Sequence, residues 1–242
     1  MDLADRVALV TGGARRVGRS LTLALARGGA DVVVNYLHSQ ADARQTVAEV
    51  EALGRRGLAL QADVSSRRQV TAMIDRVGQE FGRLDVVVNS ASIFRSTPFL
   101  AIGDEDWDRV LAVNLTGPFL VMQASAALLA AHEGLIVNMA DLSALQPWPG
   151  FAHHSVSKAG LVQLTRVAAR ALGPRIRVNC IAPGTVLPPE DYTQEQIADL
   201  RDRTALKRLG SPADVARALL FLVDSDFVTG EVVVLDGGRS LM

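Results

Sequence analysis

Short apolar runs recur along the chain, each closed by glycine or a small polar residue, with amphipathic stretches between them. Residues 6–11, 31–36, 58–63, 84–89, 135–139, 175–182 and 231–235 read as strands. They are mostly solid Val, Ile and Leu rather than alternating, which suits a sheet covered on both faces. Helical periodicity occupies 19–27, 41–53, 66–81, 107–131, 150–172 and 212–223. Gly54 and Gly82 end two of these helices, Ser65 or Ser66 and Ser211 are caps, and Gly117-Pro118 marks a kink or junction. Residues 183–207 are polar and irregular with one short helix. Strand and helix in regular alternation predict parallel βαβ units. The expected architecture is one α/β domain over 1–242, a doubly wound Rossmann-type sheet of about seven parallel strands with helices on both faces.

Composition narrows the function. The chain is 49% apolar and 21% charged with a net charge of -1, so it lacks the basic surplus of a nucleic-acid binder. Cys180 is the one cysteine, which excludes an intrachain disulfide and a cysteine zinc cluster. No apolar run of membrane-spanning length stands out, and the acidic start Met1-Asp2 is not followed by a signal-peptide core. A soluble cytoplasmic protein acting on a small molecule is expected, with no metal, nucleic acid or membrane partner.

In a doubly wound sheet, ligands bind beyond the carboxyl ends of the strands, so chemistry is sought there. After the first strand comes Thr11-Gly12-Gly13-Ala14-Arg15-Arg16-Val17-Gly18. Glycines allow a tight turn and close approach of a pyrophosphate, which the following helix N-terminus favours. The spacing departs from GxGxxG, with Arg16 where a glycine is expected. Arg15 and Arg16 bring positive charge to the adenosine end. The second strand ends in Asn35-Tyr36, followed by His38 and Ser39, with no acid to hold a ribose 2'-hydroxyl. That combination favours a 2'-phosphate and hence NADP(H); the alternative is a solvated surface. Asp63-Val64 can meet an adenine edge. Asn89-Ser90-Ala91-Ser92 is small and polar enough for a ligand to lie against. Phe94 is either a platform for a flat ring or an ordinary core residue. Pro183-Gly184-Thr185 can contact a carboxamide.

The densest chemistry lies between residues 141 and 158, where Asp141, His153, His154 and Lys158 occur together. Lys158 is one helical turn after His154, so both can project from one face. His153 points elsewhere. Burial is expected to raise the Asp141 carboxyl and make it a better proton donor; its bland role is a turn cap. Tyr192 lies in the polar segment at about 185–207, which can close as a lid.

Together these pieces resemble the short-chain dehydrogenase/reductases over essentially the full length. The matching residues are Thr11, Gly12 and Gly18, Asp63-Val64, Asn89-Ser90-Ala91, Asn114, the 141–158 segment, Pro183-Gly184 and Asp236-Gly237-Gly238. Arg16, Asp141, Asn89 to Pro98 with Phe94, and Val186-Leu187-Pro188-Pro189-Glu190 resemble the pteridine reductases within that superfamily. The resemblance implies NADPH-dependent reduction of a dihydropterin or dihydrofolate by a homotetramer. It implies that Lys158 holds the nicotinamide ribose, that Asn114 anchors a water relay and that a tyrosine four residues before the lysine donates the proton. Here that position is His154. The candidate catalytic set is therefore Asp141, His154, Lys158 and Asn114. The cofactor set is Gly12, Arg15, Arg16, Val17, Gly18, Asn35, Tyr36, His38, Ser39, Asp63, Val64, Asn89, Ser90, Ala91, Lys158 and Pro183 to Val186. Ser92, Phe94, Asp141, His154 and Leu187 form the substrate set. Reduction of a carbonyl or 3-oxoacyl substrate, and a catalytically weak NADP-binding protein, are the alternatives.

Overall fold

The computed structural model describes residues 1–188 and 192–242. Its seven strands are β1 (Val7–Thr11), β2 (Asp31–Tyr36), β3 (Gly57–Gln61), β4 (Val86–Asn89), β5 (Leu135–Met139), β6 (Arg177–Pro183) and β7 (Val232–Leu235). They form one sheet in the order β3-β2-β1-β4-β5-β6-β7, and every pairing is parallel. This is the expected doubly wound domain. The helices are α1 (Arg16–Arg27), α2 (Gln40–Ala52), α3 (Arg67–Phe81), α4 (Asp104–Leu111), α5 (Gly117–Ala130), α6 (Ala152–Leu172), α7 (Gln194–Asp202) and α8 (Pro212–Asp224).

The inner strands are buried because both faces are covered. On one face, Leu21 and Leu25 of α1 and Leu219 and Leu222 of α8 pack against Val10, Val32 and Val88. On the other, Ile74 of α3 and Val121 of α5 pack with Leu9, Val87 and Ile136. The edge strand β7 is only half-buried. The direction of winding reverses between β1 and β4, which opens a crevice at their carboxyl ends.

Several boundaries differ from expectation for physical reasons. Helix α1 begins at Arg16 rather than at 19, so Val17 and Gly18 form its first turn. Helix α4 begins at Asp104, where Asp104, Glu105 and Asp106 favour the positive helix N-terminus. Between α4 and α5, residues Ala112–Thr116 widen into a π-helical turn. Pro118 has no N–H for the carbonyl of residue 114 and its ring crowds that carbonyl, which accounts for the junction expected at Gly117-Pro118. The continuous run Asp104–Ala130 is long and apolar enough, by length and composition, to cross a membrane. That corrects the expectation that no such run exists. Half of its most apolar window is buried within the fold.

Candidate active site

A cleft of about 1070 Å³ runs along the carboxyl ends of the strands. One half is built from β1, β2, β3 and β4. Gly12 there has φ 62°, and a Cβ on it would stand 2.9 Å from Ala91 Cα. A Cβ on Gly18 would stand 2.2 Å from Gly12 O, so only glycine lets α1 start this close to the turn. Arg15, Arg16, Val17, Asn35, Tyr36, His38, Ser39, Asp63, Val64, Ser90 and Ala91 also line this cleft.

Several polar side chains in this half are already committed to the protein. Asn35 donates to Ala62 O at 3.0 Å and Leu60 O at 3.3 Å. Its Oδ1 accepts from Gly12 N. Asp63 accepts from Ser65 N and Oγ and pairs with Arg109 at 3.2 Å. Burial raises the Asp63 carboxyl, but those hydrogen bonds and the Arg109 charge outweigh it and leave it below its ordinary value. Arg15 sits on the surface 3.8 Å from Asp42. Arg16, also at positive φ, donates to Leu187 O at 3.1 Å. It therefore reaches the segment after β6 as well as the first turn.

The Asn89 side chain points into the sheet, away from any ligand lying against the Asn89–Ser92 backbone. It is buried, does not line the cleft, and donates to Asn138 Oδ1 at 2.9 Å. The strand register sets Asn89 directly beside Asn138, so the amides meet within the sheet.

The other half of the cleft is built around β5 and α6. His154 and Lys158 are both buried on the inner face of α6 and both line the cleft. Lys158 Nζ donates to Met139 O at 2.7 Å. Burial pushes its pKa down, against the opposing pull of Asp141. His154 Nε2 lies 2.5 Å from Asp141 Oδ2. The other Asp141 oxygen accepts from Ser143 N at 2.8 Å and Ser143 Oγ at 2.5 Å.

Asn114 fixes the far side of the imidazole. It comes from the π-helical turn and is fully buried behind His154, off the cleft. Its Oδ1 accepts from Ile93 N at 2.7 Å and from Ser92 Oγ, which assigns its Nδ2 as the group facing His154. The two Nδ2 protons go to Ile93 O at 2.9 Å and to Ser157 Oγ at 3.2 Å. His154 Nδ1 is 3.0 Å from Ile93 O, which can only accept, so Nδ1 carries a proton. A second proton then lies between Nε2 and Asp141 Oδ2, because neither a bare nitrogen nor an ionised carboxylate can otherwise donate across 2.5 Å.

The expected rise of the Asp141 pKa is reversed. Burial does raise it, but the His154 hydrogen bond, the His154 and Lys158 charges and Ser143 outweigh burial and hold the carboxyl below its ordinary value. Asp141 is the more accessible partner, with 22% of its side chain exposed against 2% for His154.

His153 faces away from the cleft. It is buried, and neither ring nitrogen has a hydrogen-bond partner among the described residues. Burial pushes its pKa down, which keeps it neutral.

An aromatic wall faces the Asp141–His154 pair. Phe94 is about half-exposed, stacks on Phe151 at 4.5 Å and meets the His154 ring edge-on at 4.9 Å. Trp148 meets Phe151 at 6.1 Å. Phe151 and Trp148 went unrecognised in the sequence, although two aromatics set among Pro147, Pro149 and Gly150 were the available signal.

Ser92, Pro183, Gly184, Thr185, Val186 and Leu187 line the cleft as well, and Tyr192 and Arg203 lie along it. Arg239 reaches it from the C-terminal turn and also went unrecognised. Pro189 and Glu190, part of the resemblance to a substrate loop, lie outside the described residues. Among the described residues no three His, Cys, Asp or Glu side chains converge as a metal site.

Comparison with known proteins gives full-length matches. Residues 12–240 match the family described as enoyl-(acyl carrier protein) reductase. The chain is 36% identical to the 3-oxoacyl-[acyl-carrier-protein] reductase FabG of Staphylococcus epidermidis, over 97% of this chain and 98% of that protein. It is 38% identical to the 3-oxoacyl-[acyl-carrier-protein] reductase of Synechocystis, over 98% and 97%. Among solved structures, a short-chain dehydrogenase from Burkholderia cenocepacia in complex with NADP superposes with a TM-score of 0.93 at 36% identity, covering 99% of this chain and 100% of that one. A dehydrogenase/reductase from Sinorhizobium meliloti gives 0.92 at 35% identity, covering 98% and 97%.

Proposed function

The chain belongs to the short-chain dehydrogenase/reductase family, and from that premise we propose that it is an NADPH-dependent reductase whose leading substrate class is a 3-oxoacyl thioester. The observation that carries the reductase reading is the 2.5 Å contact between His154 Nε2 and Asp141 Oδ2 on the cleft wall, which supplies a transferable proton. The substrate class is supported by two full-length relatives named as 3-oxoacyl reductases. It replaces the dihydropterin expected from the sequence as the first choice.

The cofactor half fits NADP(H). The Gly12–Gly18 turn leaves room for backbone approach, since a Cβ on Gly12 would meet Ala91. Gly12, Arg16, Val17 and Gly18 would hold the diphosphate. His38, Ser39 and Arg15 would meet the 2'-phosphate beyond Asn35 and Tyr36, with Asp63, Val64, Ser90 and Ala91 along the adenosine. Lys158 would hold the ribose, and Pro183, Gly184, Thr185 and Val186 the carboxamide end. When bound, the cofactor supplies a hydride.

The protein supplies the proton. As negative charge develops on the substrate oxygen, the proton between His154 Nε2 and Asp141 Oδ2 moves to that oxygen. His154 is left neutral, with its Nδ1 proton donated to Ile93 O, which Asn114 holds in place. Lys158 balances the remaining Asp141 charge. Asp141 and His154 thus stand in for the tyrosine that the resemblance implies. Residues 185–207 would close over the cleft as a lid, and the enzyme would be a cytoplasmic homotetramer. Exposed Phe119, Val156 and Val167 on α5 and α6 support the assembly.

A second reading, reduction of a dihydropterin or dihydrofolate, is favoured by the exposed Phe94 lying flat on Phe151 in the cleft. Against it, both Asp141 oxygens are already engaged, by Ser143 and by His154. NADPH oxidation with acetoacetyl-coenzyme A and with dihydrobiopterin separates the two. Turnover of the thioester is expected. Turnover of dihydrobiopterin alone selects the second reading, and tight NADPH binding without oxidation by either selects a catalytically weak binding protein.

A further inference from the structure

We propose that Arg239 is an anion-recognition residue of the substrate subsite, so that the cleft takes a carbonyl compound bearing a carboxylate or phosphate that docks on the guanidinium beside Trp148 and Thr185. The carbonyl part of this statement rests on the reductase reading, whereas the anion site stands on its own geometry.

Arg239 is delivered to the cleft by a turn that only glycine can make. Gly237 and Gly238 have φ 63° and 78° in succession. A Cβ on Gly238 would stand 2.7 Å from Ala205 Cβ. Asp236 accepts from Gly238 N at 2.9 Å and Ser240 N at 2.7 Å, which fixes the direction in which the next side chain leaves. Arg239 then donates to Thr185 Oγ1 at 3.0 Å, and its guanidinium lies 5.4 Å over the Trp148 ring. Thr185 and Trp148 both line the cleft, and Trp148 belongs to the aromatic wall with Phe151 and Phe94 that faces the Asp141–His154 pair, so the cation sits between that wall and the residues assigned to the cofactor's carboxamide end.

No carboxylate among the described residues lies within ion-pair reach of Arg239. The two acids that influence it are committed elsewhere: Asp199 pairs with Arg203 at 2.6 Å, and Asp236 holds the turn. Burial and the Arg203 charge both disfavour the cation and push its pKa down, with Asp199, Asp236 and Tyr192 pulling the other way. Arg nevertheless stays charged at physiological pH. A partly buried guanidinium with a neutral hydroxyl and an aromatic face as its partners keeps unused donors in a planar fork, the geometry that grips carboxylate and phosphate. Its desolvation is offset when an oxyanion arrives.

The test is direct binding, read by calorimetry and by Trp148 emission in a Trp107→Phe background. Benzoate and phenyl phosphate are the probes and benzamide is the neutral control, each with NADPH present. At least one anion should bind at least tenfold more tightly than benzamide, and which of the two does so identifies the group. Arg239→Met should abolish that preference and Arg239→Lys should keep part of it. Equal binding of anions and benzamide, or no measurable anion binding, overturns the proposal. So does a preference that survives in Arg239→Met. If Arg239→Met instead loses NADPH affinity and keeps its anion preference, the residue serves the cofactor phosphates and the proposal fails. None of these readouts requires turnover, so failure of the reductase reading is seen separately, as absence of NADPH oxidation.

Discussion

The two halves of the cleft are built on different physics. Around β1 to β4 the shape comes from what is missing: Gly12 and Gly18 leave space that no other residue allows. The polar side chains there, Asn35 and Asp63, spend their hydrogen bonds on the protein itself. Around β5 and α6, Asp141, His154 and Lys158 gather in partly dry surroundings, where each sets the protonation or orientation of another, and Arg239 reaches the cleft from the C-terminal turn on its own partners, Thr185 and Trp148. The first half is a mould and should respond to volume. The second is a charge network and should respond to the removal of one charge while keeping its shape.

The largest effect should come from the network. Asp141→Asn keeps the volume and the turn but cannot share the His154 proton as a carboxylate does. Turnover at saturating NADPH should fall by about 10²- to 10⁴-fold, the range of general acid catalysis. The thermal midpoint should move only modestly by comparison. A variant within threefold of the parent kcat would remove Asp141 from the proton path.

The mould is broken by one methyl group. Gly18→Ala puts a Cβ 2.2 Å from Gly12 O, a contact with backbone that cannot rotate away. Denaturant unfolding should show a loss of about 1–3 kcal/mol, as for other overpacked sites. NADPH affinity should fall with it, because the turn must open. Unchanged stability together with unchanged affinity would mean that the turn is not the tight element described.

The contrast also explains what the sequence could and could not disclose. Solid apolar runs predict all seven strands, and for the five inner ones burial on both faces needs nothing else. The first glycine turn is legible because its constraint is local. The Asn89–Asn138 amide pair is hidden because the two residues are distant in sequence and become adjacent only through the β4–β5 register. Asn114 reaches His154 through a π-helical turn whose exact placement no periodicity reveals. The direction of the Asp141 shift is not legible in the sequence because burial is readable from an apolar neighbourhood, but the opposing bonds from His154 and Ser143 are tertiary. Arg239 follows a visible Asp-Gly-Gly motif, yet its destination depends on the segment around Thr185 folding back against it.

The smallest and sharpest comparison sets one carboxylate from each half against acid. Asp63 and Asp141 are both held below the ordinary carboxylate value, against a desolvation that alone would raise them. A depressed folded-state pKa stabilises the fold at pH above the unfolded value of about 3.9. That contribution is lost as the pH falls through the lowered folded value. Asp63→Asn should therefore unfold more readily than the parent at neutral pH, by on the order of 1 kcal/mol given its partly exposed Arg109 partner. The gap between the two melting curves should close as both are taken to strongly acidic pH, where the parent carboxyl is protonated as well. For Asp141→Asn the gap should close over the same acid range, but only while the cationic partner remains. In the His154→Phe background the Asp141 carboxyl loses its main hydrogen bond and burial prevails, so its acid limb should shift to higher pH, while that of Asp63 stays where it was. If both limbs moved together, the two halves would be one electrostatic unit and the division between mould and network would fail.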